Sequence, residues 1–144
     1  MNYPLLGPGS NFTNNNGYLS VVFEPSDPFG RYRLWYDASP TQLNCIANAN
    51  SSDGIHWSEP HIGNISIGGS TANNCVVVAN GLGVYRDPNE QEGSPALFKA
   101  FGGIGKYGGR LATHGGTLIS PDGITWGSPH IYDWPDPPQR YDTS

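Results

Sequence analysis

A seven-residue pattern occurs twice in this chain and constrains its fold more than any other feature. Ser-x-Asp-Gly-Ile-x-Trp stands at residues 51–57 and again at 120–126, and each copy is followed at the same offset by Pro-His-Ile. Asp-Gly is a tight-turn pair, because the Asp side chain bonds the backbone two residues on and Gly adopts a positive φ without steric cost. The Ile and Trp that follow predict the start of a new strand. The repeat therefore predicts a hairpin corner that recurs once per structural unit.

The composition favours short strands over helices. The chain has 144 residues, the size of one ordinary domain, with 20 Gly, 13 Pro and 13% charged residues. So many helix breakers, without a 3.6-residue apolar period, predict an all-β fold of short strands joined by Gly, Pro and Asn turns.

The strands fall into two similar units. Those predicted for the first unit cover residues 18–24, 31–36 and 43–50 and a short segment around 55–57; those of the second cover 74–79, a strand ending at 84–88, 96–101 and 117–119. A turn is predicted at 80–83 and a Gly-rich surface connection at 102–116. Four short antiparallel strands with a recurring turn-plus-Trp corner are typical of a β-propeller blade.

The predicted blades are 18–62 and 73–131, and a third begins near residue 139. Propeller blades stack as a ring because none covers its apolar faces alone. We therefore expect the remaining blades of a ring of about five, or a second copy of the chain, to complete the assembly.

The two cysteines, Cys45 and Cys75, leave two alternatives open. They can form one disulfide that closes a loop of about 30 residues, worth roughly 3–4 kcal/mol in the chain-entropy model. Otherwise they are two small buried thiols on neighbouring strands.

Three Asn residues begin glycosylation sequons: Asn11, Asn50 and Asn64. They favour a secreted glycoprotein, although the N-terminal residues lack the basic and long apolar regions of a signal peptide. An extracellular location is the expectation.

Several classes of partner are not expected. The net charge is −5 and the seven basic residues are scattered singly, which argues against nucleic acid. No apolar run reaches membrane-spanning length. The four His residues are scattered and no metal-ligand spacing or cofactor loop stands out, so neither metal nor cofactor is predicted. Trp57 and Trp126 are expected to pack within their blades, and Trp134, beside three prolines, to be exposed.

The chain resembles the five-bladed β-propeller glycosidases, which are the invertase, levansucrase and arabinanase/xylosidase-like hydrolases. The resemblance covers residues 18–144 and rests on the strand at 31–36, both Asp-Gly corners, Asn73-Asn74 and the Arg-Asp-Pro-Asn run at 86–89. Sialidases are the nearest confusable group, but their Asp box has an extra residue between Asp and Gly. Both corners here lack that residue.

The resemblance implies a carbohydrate partner and roles for particular residues. Asp87 matches the Asp of the Arg-Asp-Pro motif, which binds substrate hydroxyls and stabilises the transition state in invertase-like enzymes, and Arg86 would hold a neighbouring carboxylate or a sugar hydroxyl. Asn73, Asn74 and Trp134 are the further substrate-binding candidates. The alternative is that residues 87–89 are a strand-ending turn, since Asp, Pro and Asn are all residues that favour turns.

The catalytic set of that family is incomplete in this chain. Neither 23–25 nor 27–28 matches the motif that carries the nucleophile, and the acid Glu would lie on a later blade. The predicted function is therefore that of a glycosidase-like propeller that acts on or binds an extracellular glycan. The alternatives are a non-catalytic propeller that binds carbohydrate or protein, and a structural component of an extracellular assembly.

Overall fold

A computed structural model of this chain describes residues 19–27, 30–38, 44–104, 106–107, 110–111 and 115–132, and these residues contain ten β-strands. The strands are β1 (Ser20–Phe23), β2 (Tyr32–Ala38), β3 (Cys45–Ser51), β4 (Cys75–Val77), β5 (Ala79–Arg86), β6 (Phe98–Ile104), β7 (Lys106–Tyr107), β8 (Arg110–Leu111), β9 (Gly115–Ser120) and β10 (His130–Ile131).

The strands form two antiparallel four-stranded sheets and a small two-stranded one. Sheet 1 has the order β1-β2-β3-β4, sheet 2 has the order β10-β9-β6-β5, and β7 pairs with β8. The predicted all-β class is confirmed, with two blade-like sheets that do not close a ring. No helix able to cross a membrane occurs among the described residues. The third unit predicted near residue 139 lies outside them.

The two sheets repeat in register. Tyr32 pairs with Ser51 across β2 and β3, and Phe98 pairs with Ser120 across β6 and β9. Each Ser opens an Asp-Gly corner, so β2 and β3 of sheet 1 correspond residue by residue to β6 and β9 of sheet 2. The edge strands correspond too, because Phe23 faces Tyr32 as Arg86 faces Phe98.

The fourth strand of sheet 1 is not where the sequence predicted it. Residues 52–56 form bends, and beyond them only an isolated bridge joins Ser58 to Asn50. The strand predicted around 55–57 is wrong because the Asp53 carboxylate accepts the backbone N–H groups of residues 55 and 56. The fourth strand is β4, which pairs with β3 after the intervening segment 58–74.

The strand predicted at 74–79 is divided between the sheets. Residues 75–77 belong to sheet 1, while β5 of sheet 2 begins at Ala79 after a bend at Val78. The turn predicted at 80–83 is also wrong, because these residues lie within β5 at a register shift between Asn80 and Gly83. Gly81 has a φ of +67°, and both oxygens of the Asp37 carboxylate accept its N–H, at 3.0 and 2.9 Å.

The main core lies between the two sheets. Trp35 is fully buried there and its ring lies 5.7 Å from that of Phe98. The other face of sheet 1 holds a second cluster around Leu34 and Tyr36, against which Trp57 packs. Trp126 packs against the main core, so the expected blade-packing role of both corner Trp residues is confirmed.

Candidate functional site

The two Asp-Gly corners have the same local structure. Asp53 Oδ1 accepts the N–H groups of residues 55 and 56, both at 2.8 Å, and Asp122 Oδ1 accepts those of residues 124 and 125, at 2.8 and 2.7 Å. The preceding Ser51 and Ser120 hydroxyls accept the Gly N–H of their own corners, at 2.9 and 2.8 Å. The sequence repeat is thus a structural repeat down to single hydrogen bonds.

The corner carboxylates are held in the ionised form. The pKa of Asp53 is lowered by its hydrogen bond with the His56 side chain and by the backbone donors. Partial burial alone would raise the pKa of Asp122, but its hydrogen bonds with two backbone N–H groups and with the Ser120 and Thr125 side chains together lower it. Each carboxylate therefore acts as a fixed acceptor that organises its turn.

The second corner docks onto sheet 1 through two side chains of β2. Arg33 Nη1 donates to the Asp122 carbonyl at 2.6 Å, and Trp35 Nε1 donates to the Gly123 carbonyl at 2.8 Å. The Arg33 guanidinium also lies 4.8 Å from the centre of the Trp35 ring and 5.2 Å from that of Phe98. Both sheets and the second corner therefore meet at Arg33.

Arg33 is a buried cation at this junction. It is 5% exposed, and its Nη1 lies 3.5 Å from the Asp27 carboxylate. Burial lowers the pKa of the guanidinium, while the negative charges of Asp27 and Asp122 oppose that shift. An unpaired buried charge would be costly, so the Asp27 carboxylate has a structural role here.

A second set of ion pairs lies where β1 and β5 end. Arg86 pairs through Nε with Glu24 and through Nη2 with Glu92, the latter at 2.5 Å. Lys99 Nζ lies 2.5 Å from Asp87 and 3.5 Å from Glu90. The hydrogen bond from Lys99 lowers the pKa of Asp87, which keeps this carboxylate ionised.

A cavity of about 490 Å³ opens between the sheets at this edge. Its charged lining comes from four acids and two bases: Glu24, Asp27, Glu92, Asp122, Arg33 and Arg86. Four lining residues carry a buried polar atom with no hydrogen-bond partner in the protein, namely Arg33 Nε, Asn48 Oδ1, Asn50 Oδ1 and Arg86 Nε, and of these only Arg86 Nε lies against a carboxylate, that of Glu24. The cavity thus offers one donor and two acceptors from buried or half-buried side chains.

The predicted site residues are only partly brought together. Arg86 lines the cavity, whereas Asp87 lies beside it at the end of β5 and is not among the lining residues. Trp134 lies outside the described residues.

Asn73 and Asn74 are interior groups. The Asn73 amide donates to the carbonyls of residues 65 and 70, and its Oδ1 accepts the N–H of Cys75. The Asn74 amide donates to the Tyr36 hydroxyl and to the Asn48 carbonyl, both at 2.9 Å. Both side chains position β4 beside β3, and sugar binding by either remains a prediction.

The structure joins Cys45 and Cys75 in a disulfide between β3 and β4. Of the sequon residues, Asn64 is exposed, Asn50 lines the cavity, and Asn11 lies outside the described residues. Glycosylation at any of them remains a prediction.

Sequence reasoning missed Glu24 and Arg33 as members of this site. For Glu24 a signal was available in the sequence, because Glu24-Pro25 ends β1 where Asp87-Pro88 ends β5. The two turns also share a backbone bond, from Asp27 N to the Glu24 carbonyl and from Glu90 N to the Asp87 carbonyl. Each sheet therefore carries an acid-Pro-x-acid turn at this edge.

Within the described part of the chain, no group of three His, Cys, Asp or Glu side chains is placed to hold a metal ion. Comparison of the chain with protein-family models, curated proteins and solved structures found no match.

Proposed function

We propose that these two sheets are adjacent blades of a glycosidase-like β-propeller that binds an extracellular glycan at the edge where β1 and β5 end. The observation that carries the proposal is that Arg33 Nε, Asn48 Oδ1 and Asn50 Oδ1, in the lining of this cavity, are buried without a hydrogen-bond partner in the protein. A sugar hydroxyl both donates and accepts hydrogen bonds, so a polyhydroxy ligand can satisfy the Arg33 donor and the two Asn acceptors together.

The size and composition of the cavity also support a sugar. A volume of about 490 Å³ falls in the range of small-molecule sites. Phe98 and Ile62 add apolar surface beside the charged groups. Sugar rings combine apolar C–H faces with hydroxyl edges, which suits such a mixed lining.

The carboxylates of the two acid-Pro-x-acid turns support a glycosidase-like arrangement. Glycoside hydrolysis uses paired carboxyl groups and an oxocarbenium-like transition state. Glu24 and Asp87 hold equivalent positions on neighbouring sheets, each at the end of an edge strand. Because Lys99 keeps the pKa of Asp87 low, Asp87 suits charge stabilisation and does not suit proton donation.

The general acid would have to come from another blade. Burial raises the pKa of the Asp37 carboxyl, but Asp37 lies at the far end of β2 from Arg33 and accepts the N–H of Gly81. We therefore expect hydrolysis only in an assembly that contributes a further carboxyl group to the site.

The proposal is tested by calorimetric titration of the chain with sucrose, arabino-oligosaccharides and xylo-oligosaccharides, followed by turnover assays on any sugar that binds. Asn50→Ala removes one free acceptor and should weaken binding about tenfold, which corresponds to about 1.4 kcal/mol. Thr71→Ala, at an exposed position outside the cavity lining, is the matched control and should bind normally. Binding of no sugar, or equal binding by both variants, contradicts the proposal.

The role of Asp87 is tested separately by Asp87→Asn in an assembly that hydrolyses a glycan. Loss of the charge should slow turnover by at least about tenfold while sugar binding persists. An unchanged rate removes Asp87 from the mechanism.

A non-catalytic glycan-binding propeller is the second candidate, and one observation favours it. The acids at this edge are paired with cations: Glu24 and Glu92 with Arg86, Asp27 with Arg33, and Asp87 and Glu90 with Lys99. Such pairing suits a rigid binding surface. Sugar binding without turnover in a closed assembly identifies this function, while a regular oligomer without sugar affinity identifies a structural component.

A further inference from the structure

The cavity between the sheets carries more negative than positive charge. Among the described residues its lining contains four carboxylates, those of Glu24, Asp27, Glu92 and Asp122, against two guanidinium groups. Hydrogen bonds hold the pKa of Asp122 below its usual value, so its charge is present in neutral solution. A surplus of negative charge in a partly enclosed space favours a cationic ligand over an anionic one.

Both guanidinium charges are already balanced inside the protein. The Arg33 guanidinium lies beside the carboxylate of Asp27, at 3.5 Å. The Arg86 guanidinium contacts two carboxylates, those of Glu24 and Glu92. An acidic sugar or a phosphate would therefore have to approach cations that carboxylates of the protein already neutralise.

Asn48 supplies a fixed acceptor in the same lining. Its side chain is fully buried, and its Nδ2 donates to the Leu34 carbonyl at 3.1 Å, so Oδ1 is the end of the amide that lacks a partner. The backbone of Asn48 is held as well, because its N–H donates to the Asn74 carbonyl and its carbonyl accepts the Asn74 amide. The side chain therefore cannot turn its oxygen towards another donor without breaking the bond to Leu34.

Asn50 and Arg33 lie on the same face of sheet 1 as Asn48. Arg33 pairs with Asn50 across β2 and β3, and Trp35 pairs with Asn48, so the four side chains form two neighbouring pairs on one face. This face looks towards sheet 2, because Trp35 belongs to the core between the sheets. Two free acceptors and one free donor therefore stand close together on a rigid surface.

The internal repeat indicates that the sheet does not itself require these two Asn residues. Through the shared register, Thr117 and Ile119 of β9 stand where Asn48 and Asn50 stand in β3. A buried amide oxygen without a partner lowers stability. The two Asn side chains thus suit a ligand better than they suit the packing of the sheet.

We propose that the sugar bound in this cavity is an amino sugar, with a free amino group that enters as an ammonium ion. This inference rests on the proposed glycan-binding function and names its ligand class. An ammonium group has three donors and no acceptor, which matches the free oxygens of Asn48 and Asn50 and the negative surplus of the lining. A hydroxyl or ring oxygen of the same sugar provides the acceptor that Arg33 Nε lacks.

The test is calorimetric titration of the chain with three trimers of β-linked glucose units, which bear a hydroxyl, an acetamido or an amino group on the second carbon. At about pH 6 the amine is protonated, and the amino trimer should bind at least about tenfold more tightly than the other two. At about pH 9 the amine is neutral and this preference should disappear. The hydroxyl trimer, measured at both pH values, controls for changes in the protein itself.

A pair of charge variants locates the effect in the cavity. Glu92→Gln removes one charge of the lining at a side chain that is 73% exposed, and it should weaken binding of the amino trimer about threefold without affecting the hydroxyl trimer. Glu59→Gln is the matched control, because it makes the same change in net charge outside the lining and keeps an acceptor for the Tyr36 hydroxyl. Circular dichroism checks that both variants fold. An equal loss in both would mean that the overall charge of the chain attracts the amine, which overturns the proposal.

The remaining outcomes separate this inference from the function on which it rests. Binding of the hydroxyl or acetamido trimer as tightly as the amino trimer at about pH 6 overturns the inference and leaves glycan binding in place. Equally tight binding of putrescine, a diamine without a sugar ring, would show a site for cations alone and also overturns it. If none of the trimers binds, and none of the neutral sugars named above binds either, the inference and the proposed function both fail.

Discussion

Gly54 and Gly123 hold the same position in the two corners but meet different neighbours. Both have a positive φ, +76° and +70°. A Cβ on Gly54 would lie 3.6 Å from the Tyr32 ring, an ordinary contact, whereas a Cβ on Gly123 would lie 2.6 Å from Cζ2 of the buried Trp35. Replacing each Gly by Ala therefore separates two contributions to stability. The change at Gly54 reports the cost of the backbone conformation, and the additional loss at Gly123 reports the packing of the second corner on sheet 1.

We expect Gly54→Ala to lower the free energy of unfolding by about 1 kcal/mol, the cost of a left-handed residue with a Cβ. Gly123→Ala should cost about 1–3 kcal/mol more, because the Trp35 ring must move in a packed core. Urea unfolding of the two variants measures the difference. Equal losses would mean that the second corner is not held against Trp35.

The residue scale is also where the sequence was most informative. The Ser and Asp side chains bond to groups two or three residues away in the chain, so local sequence determined both corners, as the matching hydrogen bonds confirm. Arg33 escaped detection because its importance comes from Asp27 and from the carbonyl of Asp122, which is 89 residues away. A contact between residues so far apart in the sequence leaves no local sequence pattern.

At the scale of elements, side chains hold β4 in its place in sheet 1. It has three residues and pairs with β3 across an irregular register. The amides of Asn73 and Asn74 and the Cys45–Cys75 disulfide hold it in place. Segment 58–74 separates β4 from its corner, whereas β10 follows the second corner directly, at residues 130–131.

Because of that segment, the sequence could not predict the fourth strand of sheet 1. The repeat predicted a strand directly after each corner, but in sheet 1 the chain makes only one bridge, at Ser58, before it leaves the sheet. The apolar run at 74–79 predicted a single buried strand of the second unit, whereas residues 75–77 belong to sheet 1 and β5 of sheet 2 begins at Ala79. Its division between two sheets depends on the bend at Val78, which the run does not indicate.

We expect the double variant Cys45→Ala, Cys75→Ala to lose about 3–4 kcal/mol of unfolding free energy, since the bridge closes a loop of 30 residues in the unfolded chain. Urea unfolding measures this loss. Adding a reductant to the double variant should change nothing further, which is the control. An unchanged midpoint in the double variant would contradict a stabilising disulfide.

At the scale of the whole molecule, equivalent faces of the two sheets differ in exposure. The face of sheet 1 that carries Trp35 is covered, and the equivalent face of sheet 2 is exposed. Trp35 and Phe101 occupy equivalent positions, yet Trp35 is 0% exposed and Phe101 is 52% exposed. The difference arises because sheet 2 lies against sheet 1, while no described residues cover the corresponding face of sheet 2 to the same extent. The repeat thus allows the energy of packing one sheet on the other to be measured against an equivalent position that is not covered.

We expect Trp35→Ala to lower the free energy of unfolding by about 3–5 kcal/mol, because it leaves a large cavity between the sheets. Phe101→Ala should cost about 0.5 kcal/mol or less, since the ring is half exposed. Urea unfolding of the two variants measures both losses. Equal losses would mean that sheet 2 does not hold Trp35 more tightly than the equivalent face of sheet 2 holds Phe101.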